Sequence, residues 1–370
     1  MKIVFTKVGS VLNVNGINFF IFELSNALIK AGHKVDVISA FEEESDGISI
    51  KDLFDVERFP TIRTFGRSRN YKSWMKESRR EPLLWLSRGS LFLREIAPDM
   101  LIANGVVPIR SPTFKVLLYH DLEFRRSLYQ KLYARVLIRA HTFDVIATTS
   151  TELAKRIPLD LGVKSGKIEV IPVCINTQKY VSLTQEKRER AILHVGTWRD
   201  KNLETTVRAF CTLAKIDPMM KLYVVGDLWS KPKQILSTVK REIATRIVCV
   251  GIVSKRELRE LYSRVQVAVV PSIYKVPVIS PTVLESLASG TPVVGGSTAI
   301  SNDLLVDGYN GFRVYPTDFR TISERILSLT ADIGLWNRMS TNAQSHAKKF
   351  DAASVARKYV TLYQSFRKAI

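Results

Sequence analysis

Two short stretches hold side chains that could grip a phosphate. The first is Ser280-Pro281-Thr282-Val283-Leu284-Glu285, at the start of an expected helix over 282–288. Val267 to Val270 before it is a β-branched apolar run stopped by Pro271, the pattern of a buried parallel strand. Thr291 to Val294 after it reads as a second strand, closed by Gly295 and Gly296, and Gly290 marks the helix end. A helix N-terminus carries unpaired N–H groups and a partial positive charge, which suits a phosphate. Ser280, Thr282 and Val283 form that mouth. Glu285, one turn in, can accept hydrogen bonds from ligand hydroxyls. A structural role competes for it, because Thr282-x-x-Glu285 is also capping-box spacing, and Ser280 before Pro281 is a rival cap.

The second stretch is Gly196 to Asn202, GTWRDKN, following a strand at 191–195. Arg199 and Lys201 fall in this strand-to-helix turn and could converge with the 282 helix on one diphosphate. Gly226 closes a further strand at 221–225, and another at 247–250 ends in Gly251, followed by a helix over 255–263. Two single residues in the first half are further candidates. Gly16 ends an Asn- and Gly-rich loop and can let backbone approach a ligand, or merely permit a turn. His120 sits at the carboxyl end of a strand at 115–119, where it could touch a substrate or polarise a leaving group. A hydrogen-bonded scaffold role is the alternative.

Elements must hold these residues. Lys2 to Thr6 reads as a strand, Phe19 to Ala31 as an amphipathic helix and Val35 to Ser39 as a strand. Further strands are expected at 99–103, 144–148 and 167–173, with a helix over 151–156 capped by Ser150. This is the opening of a doubly wound α/β sheet, without the G-x-G-x-x-G of dinucleotide-binding proteins. The polar run 176–190 reads as a linker, after which the pattern restarts. A chain of 370 residues is long for one core, so two Rossmann-like domains are expected, 1–180 and 181–350. Helices are expected over 318–345, and a last amphipathic helix over 355–366 lies within a tail at 351–370.

Lys plus Arg number 55 against 35 acids, a net charge of +20 that points to an anionic partner. Residues 62–94 concentrate it: Lys76, Arg79 and Arg80 are interleaved with Trp74 and Trp85. On helical segments this fits binding in the plane of an anionic membrane surface, with a solvated basic face or nucleic acid as rivals. No helix-turn-helix, RRM or zinc pattern supports nucleic acid. No run of 18 apolar residues suggests a membrane span, and MKIVFTKVG reads as a strand rather than a signal peptide. Cys174, Cys211 and Cys249 have no metal spacing and suit a reducing cytoplasm. With no Asp-x-Asp pattern either, neither a metal nor a cofactor is expected.

The motifs together resemble a known family. The opening GINFFIFELSNALIKAGHKVDVIS, the segment KIEVIPVCINTQKY, and ILHVGTWRDKNLETTVRAF, VGIVSKRELRELYSRVQVAVVPS, VLESLASGTPVVG and LLVDGYNGFRV are similar to the retaining nucleotide-sugar glycosyltransferases of the GT-B fold, glycosyl transferases group 1. The resemblance implies two Rossmann-like domains facing across a cleft, with the last helix crossing back to the first. It implies transfer of a hexose from a nucleotide-diphosphate sugar, without metal, to a glycan or lipid-linked acceptor. Glu285 matches the glutamate that holds the nucleotide ribose. Arg199 and Lys201 resemble the cationic pair on the diphosphate, although Thr197 stands where an arginine is usual. Gly16 resembles the glycine near diphosphate and acceptor, and His120 the histidine near the donor sugar. In the family a first glutamate, eight positions before the second, contacts the transferred sugar. Here that position is Pro277. A catalytically degenerate subunit, or a sugar-nucleotide epimerase on the same fold, therefore stands beside the transferase. With the basic stretch in the acceptor-side domain, the expected setting is cytoplasmic and peripheral on a membrane.

Overall fold

The structure, a computed structural model, describes residues 1–10, 16–42, 54–67, 85–105, 113–120, 136, 143–228, 231–274 and 276–369. The chain divides into two compact units, Met1–Ile175 with Ala352–Ile370, and Asn176–Asp351.

In the first unit, apolar runs bounded by polar turns become the strands of one parallel sheet. These are β1 (Lys2–Ser10), β2 (Lys34–Glu42), β3 (Thr61–Arg67), β4 (Met100–Asn104), β5 (Phe114–Tyr119), β6 (Val145–Thr148) and β7 (Ile168–Val170). Among the described residues their order is β3-β2-β1-β4-β5-β6-β7, so the connection reverses between β1 and β4, where such sheets bind ligands. Three helices of this unit are α1 (Gly16–Lys30), α2 (Ser90–Ile96) and α3 (Thr151–Leu161). Ser150 caps α3, accepting from the Leu153 N–H at 3.2 Å. The C-terminal helix, α11 (Ala352–Ala369), belongs to this unit and packs on α1. It buries Val355 and Tyr359 and sets Phe366 against Phe114, ring centroids 4.3 Å apart.

Two expectations for the basic stretch fail. Residues 61–67 form an edge strand rather than helix, pairing in parallel with β2, and Arg63 bonds Asp36 at 3.2 Å. The β-branched Thr61, Ile62 and Thr64 favour a strand here, and an edge tolerates the arginines. Trp85 is not a surface residue: it is fully buried, packed with Leu93, Ile96 and Tyr119.

The second unit repeats the plan with β8 (Glu189–Val195), β9 (Lys221–Val225), β10 (Ile247–Gly251), β11 (Val265–Val270), β12 (Val293–Gly296) and β13 (Gly311–Val314), in the order β10-β9-β8-β11-β12-β13. Its helices are α4 (Leu203–Ile216), α5 (Lys231–Ser237), α6 (Arg241–Ala244), α7 (Lys255–Arg264), α8 (Pro281–Ala288), α9 (Phe319–Ala331) and α10 (Ile333–Ala347). Every residue of β11 is buried, as a central parallel strand covered on both faces requires.

The stretch 176–190 begins the second unit, so the boundary lies at its N-terminal end. It forms two short 3-10 turns, and β8 already begins at Glu189. Arg188 is buried under it. Its guanidinium donates to the carbonyls of Leu183, Tyr262, Val265 and Ser289 and to Thr291 Oγ1, at 2.6 to 3.0 Å, and stacks over Trp336 at 5.0 Å. Burial pushes its pKa down to about 10, which still leaves it charged at neutral pH. One side chain thereby fixes the end of α7 to the end of α8. Replacing Arg188 by Met orphans these acceptors together, a loss of roughly 3–5 kcal/mol. Calorimetric unfolding checks this: the midpoint falls well below that of the wild type, and an unchanged midpoint contradicts the clamp.

Candidate functional site

The site is built where β8 and β11 lie side by side and the chain changes direction in the sheet. Beyond β8 comes Gly196, at φ +93°, a conformation L side chains rarely adopt. A Cβ there would lie 3.0 Å from Lys201 Cγ, so glycine leaves room for the lysine stem to fold back over the loop. His194, 1% exposed, holds the loop from beneath. Its Nε2 meets the Gly196 carbonyl at 2.8 Å and its Nδ1 meets Thr206 Oγ1 at 2.8 Å. A carbonyl only accepts, so Nε2 carries the proton and Nδ1 accepts from the threonine hydroxyl.

Arg199 to Lys201 form one 3-10 turn, ended by Asn202 in the left-handed region at φ +57°. Asn202 Nδ2 donates to the carbonyls of Pro316, at 2.8 Å, and Pro271, at 3.2 Å. The Ile273 N–H donates to the Asp200 carbonyl at 2.9 Å. The turn after β8 is thus tied to the segment after β11. Lys201 comes to lie 5.9 Å from the Tyr274 ring centre. Burial lowers its pKa, opposed by the charges of Asp200 and Glu285.

Pro281 opens α8 with Ser280 in the cap position, but no cap side chain bonds the first turn. The capping-box alternative for Glu285 therefore does not hold. Glu285 is 4% exposed, and its Oε1 accepts from the ammonium of Lys255, the first residue of α7. Tyr262, fully buried, lies beside them. Its burial, and next the charge of Glu285, raise its pKa well above the usual phenol value. The carboxylate thus has as electrostatic neighbours one lysine from the turn after β8 and one from the first turn of α7.

Of the residues singled out in the sequence, Lys201 stands in the turn after β8 within range of the charge of Glu285, with Ser280 and Thr282 at the mouth of α8. The Val283 side chain is fully buried, leaving its backbone for a ligand. Gly226 ends β9 at φ +136°, where a Cβ would lie 3.0 Å from Thr197 Oγ1, so it seats the β8 turn. Arg199 is exposed and the structure does not join it to Lys201 and Glu285. Gly16 and His120 belong to the first unit. Gly16 is the exposed first residue of α1. His120 meets the edge of the Phe20 ring, centroids 6.2 Å apart, and its enclosed Nε2 has no hydrogen-bond partner among the described residues. Burial and then the charge of Lys7 push its pKa down to about 4, so it is neutral at pH 7. Trp74, Lys76, Arg79 and Arg80 lie outside the described residues.

Sequence reasoning missed Lys255, Tyr262, His194 and Asn202. Ser254-x-x-Glu257 is a capping box, and it is formed, with the Ser254 N–H donating to Glu257 at 2.8 Å. That signal could have fixed Lys255 as the first residue of α7, though not its partner.

Two family descriptions match the chain. Residues 189–332 match Glycosyl transferases group 1, and residues 14–179 match Glycosyltransferase Family 4. An uncharacterized glycosyltransferase of Methanocaldococcus jannaschii is 25% identical over 236 residues, which span 59% of this chain and 59% of that protein. The O-antigen chain mannosyltransferase RfbU of Salmonella typhimurium is 27% identical over 256 residues, 63% of this chain and 67% of the relative. Among solved structures, a sucrose-phosphate synthase from Thermosynechococcus elongatus superposes with a TM-score of 0.78 at 19% identity, over 100% of both chains. HepE of Anabaena in complex with UDP gives 0.76 at 16% identity, over 99% of this chain and 100% of that one. At these identities the structural likeness is one of fold, the GT-B fold.

His194 gives the site a pH signature. Its pKa is pushed down from 6.5 to about 4, chiefly by burial. Between those values the unfolded chain binds the proton more readily than the folded one. The stabilisation is therefore complete above pH 6.5 and is lost as pH falls toward 4, by about 3 kcal/mol in all. Unfolding midpoints measured across this range should fall with acid, and His194→Gln should flatten the slope. A variant as acid-sensitive as the wild type contradicts the assignment.

Proposed function

We propose, starting from its membership of the GT-B glycosyltransferases through a Family 4 and a group 1 domain, that this chain transfers a hexose from a nucleoside-diphosphate sugar to an acceptor, with retention of configuration. The observation that carries the reading is the tie between the turn after β8, which bears Lys201, and the segment after β11 that leads into α8 and Glu285.

The chemistry needs no protein nucleophile at this site. A sugar nucleotide brings its own leaving group, and negative charge grows on the diphosphate as the glycosidic bond breaks. Lys201 and the N–H groups opening α8 stabilise that charge in a partly desolvated setting. Glu285 accepts hydrogen bonds from the ribose hydroxyls and so registers the nucleotide against the two cation sources. His120, neutral at pH 7, donates to or accepts from a sugar hydroxyl, and Gly16 opens the backbone to the acceptor side. A fixed donor and acceptor supply the positioning contribution. Two named likenesses support the donor class: HepE is solved with UDP, and RfbU is a mannosyltransferase.

The acceptor reading rests on charge. Arg79, Arg80, Lys76 and Trp74 belong to a basic stretch in a chain of net charge +20, which suits a lipid-linked or otherwise anionic acceptor at a membrane surface. No helix among the described residues is long and apolar enough to cross a membrane, so such contact would be peripheral. Pro277 favours a second reading, a nucleotide-binding subunit without turnover, because a carboxylate on the transferred sugar is missing there.

Calorimetric titration and turnover assays with UDP, GDP and their sugars separate the readings. The transferase reading expects binding and transfer, with kcat/KM reduced about 100-fold or more in Lys201→Ala. Binding without turnover supports the degenerate subunit, and absence of binding by any member of the panel ends both. Flotation with anionic liposomes tests the acceptor side. Binding should be salt-sensitive and should weaken when Trp74, Arg79 and Arg80 become Ala. Flotation indifferent to salt or to these changes contradicts membrane contact.

A further inference from the structure

Lys255 stands in a place that helix stability alone does not favour. It is the first residue of α7, at the positive end of the helix dipole, where acidic residues are preferred. The capping box of Ser254 and Glu257 fixes its backbone there. Its neighbour Arg256 is exposed and pairs with Glu260 one turn on, as surface cations do. Lys255 turns the other way. Its side chain is 15% exposed and its ammonium bonds Glu285, whose side chain is 6% exposed. The two residues are thirty positions apart, on helices that follow different strands.

Glu285 therefore has two cations to choose between. Lys255 holds it by a hydrogen bond, while Lys201 acts on it through charge alone. Were Lys255 absent, the carboxylate would be left buried beside a single cation. Its lowest-energy course would be to turn to Lys201. That movement would withdraw both the hydroxyl acceptor and the diphosphate cation from a ligand.

We infer that Lys255 is a positioning residue of the nucleotide site: it draws Glu285 away from Lys201, so that the carboxylate reads the ribose hydroxyls while Lys201 remains available to the diphosphate. The inference rests on the donor-site reading above and deepens it. It makes ribose recognition, rather than overall affinity alone, the property that Lys255 controls. The ligand class is a ribonucleoside diphosphate, with both ribose hydroxyls present.

Calorimetric titration of the intact chain with UDP and GDP, each compared with its 2′-deoxy and 3′-deoxy forms, provides the test. The wild type should prefer a ribonucleotide over its deoxy forms by about tenfold, the worth of a hydrogen bond to a charged acceptor. Lys255→Met should weaken the ribonucleotide by about tenfold and bring the preference close to unity. Lys255→Arg should recover most of the preference. The unfolding midpoint of each variant, measured alongside, reports loss of fold, and Lys255→Gln serves if the Met variant is unstable. A preference that survives in the Met and Gln variants overturns the inference while leaving the donor site intact. Tighter ribonucleotide binding by those variants also overturns it, since Lys255 would then be a competitor in the ribose's place. If the wild type binds neither UDP nor GDP, the donor-site reading fails and takes this inference with it.

Discussion

A carboxylate enclosed by protein needs a cation, and Glu285 has Lys255 as that cation and Lys201 as a second neighbour. The site depends on how this one charge is shared. The pair Lys255–Glu285 is internally neutral, and the charge of Lys201, offset in part by Asp200, stands with the dipole of α8 at the sheet edge. A lysine beside a helix N-terminus suits a phosphate group better than a neutral sugar. Removal of either pair member would expose a buried charge, which is far costlier than the pair itself.

The scaffold exists to hold that balance. The β8 turn could not place Lys201 without Gly196, whose missing side chain is filled by the lysine stem. His194 anchors the same turn from the core, and Asn202 ties it to the backbone after β11. On the far side, Arg188 bonds the carbonyls that end α7 and α8, the helices that carry Lys255, Tyr262 and Glu285. A polar network of this kind specifies one arrangement because each member is satisfied only there.

Much of this was legible in the sequence, for physical reasons. The short β-branched run Val267 to Val270, stopped by Pro271, reads as a buried parallel strand, and Pro281 and Gly290 bracket α8 as their backbone preferences demand. What escaped was the fate of charged residues. Arg188 sits in a polar run that reads as linker, and Arg63 and Arg67 made an edge strand look like part of a surface helix. Trp85 looked interfacial because its neighbours are basic, yet it is core. Nothing in the spacing of the helix over 255–263 sets Lys255 apart from its charged neighbours. In each case local pattern sets the element, but a partner distant in sequence decides whether the charge is buried, and no spacing rule encodes that partner.

The central claim is that an anion the size of a diphosphate is held between the turn at 196–202 and the mouth of α8. Hydrogen-exchange mass spectrometry with and without saturating UDP or GDP tests it directly, since bound phosphate occupies the amides it shields. The account predicts slowed exchange in peptides covering 196–203 and 280–286. Nucleotide binding that leaves both peptides exchanging as in the free protein would contradict it.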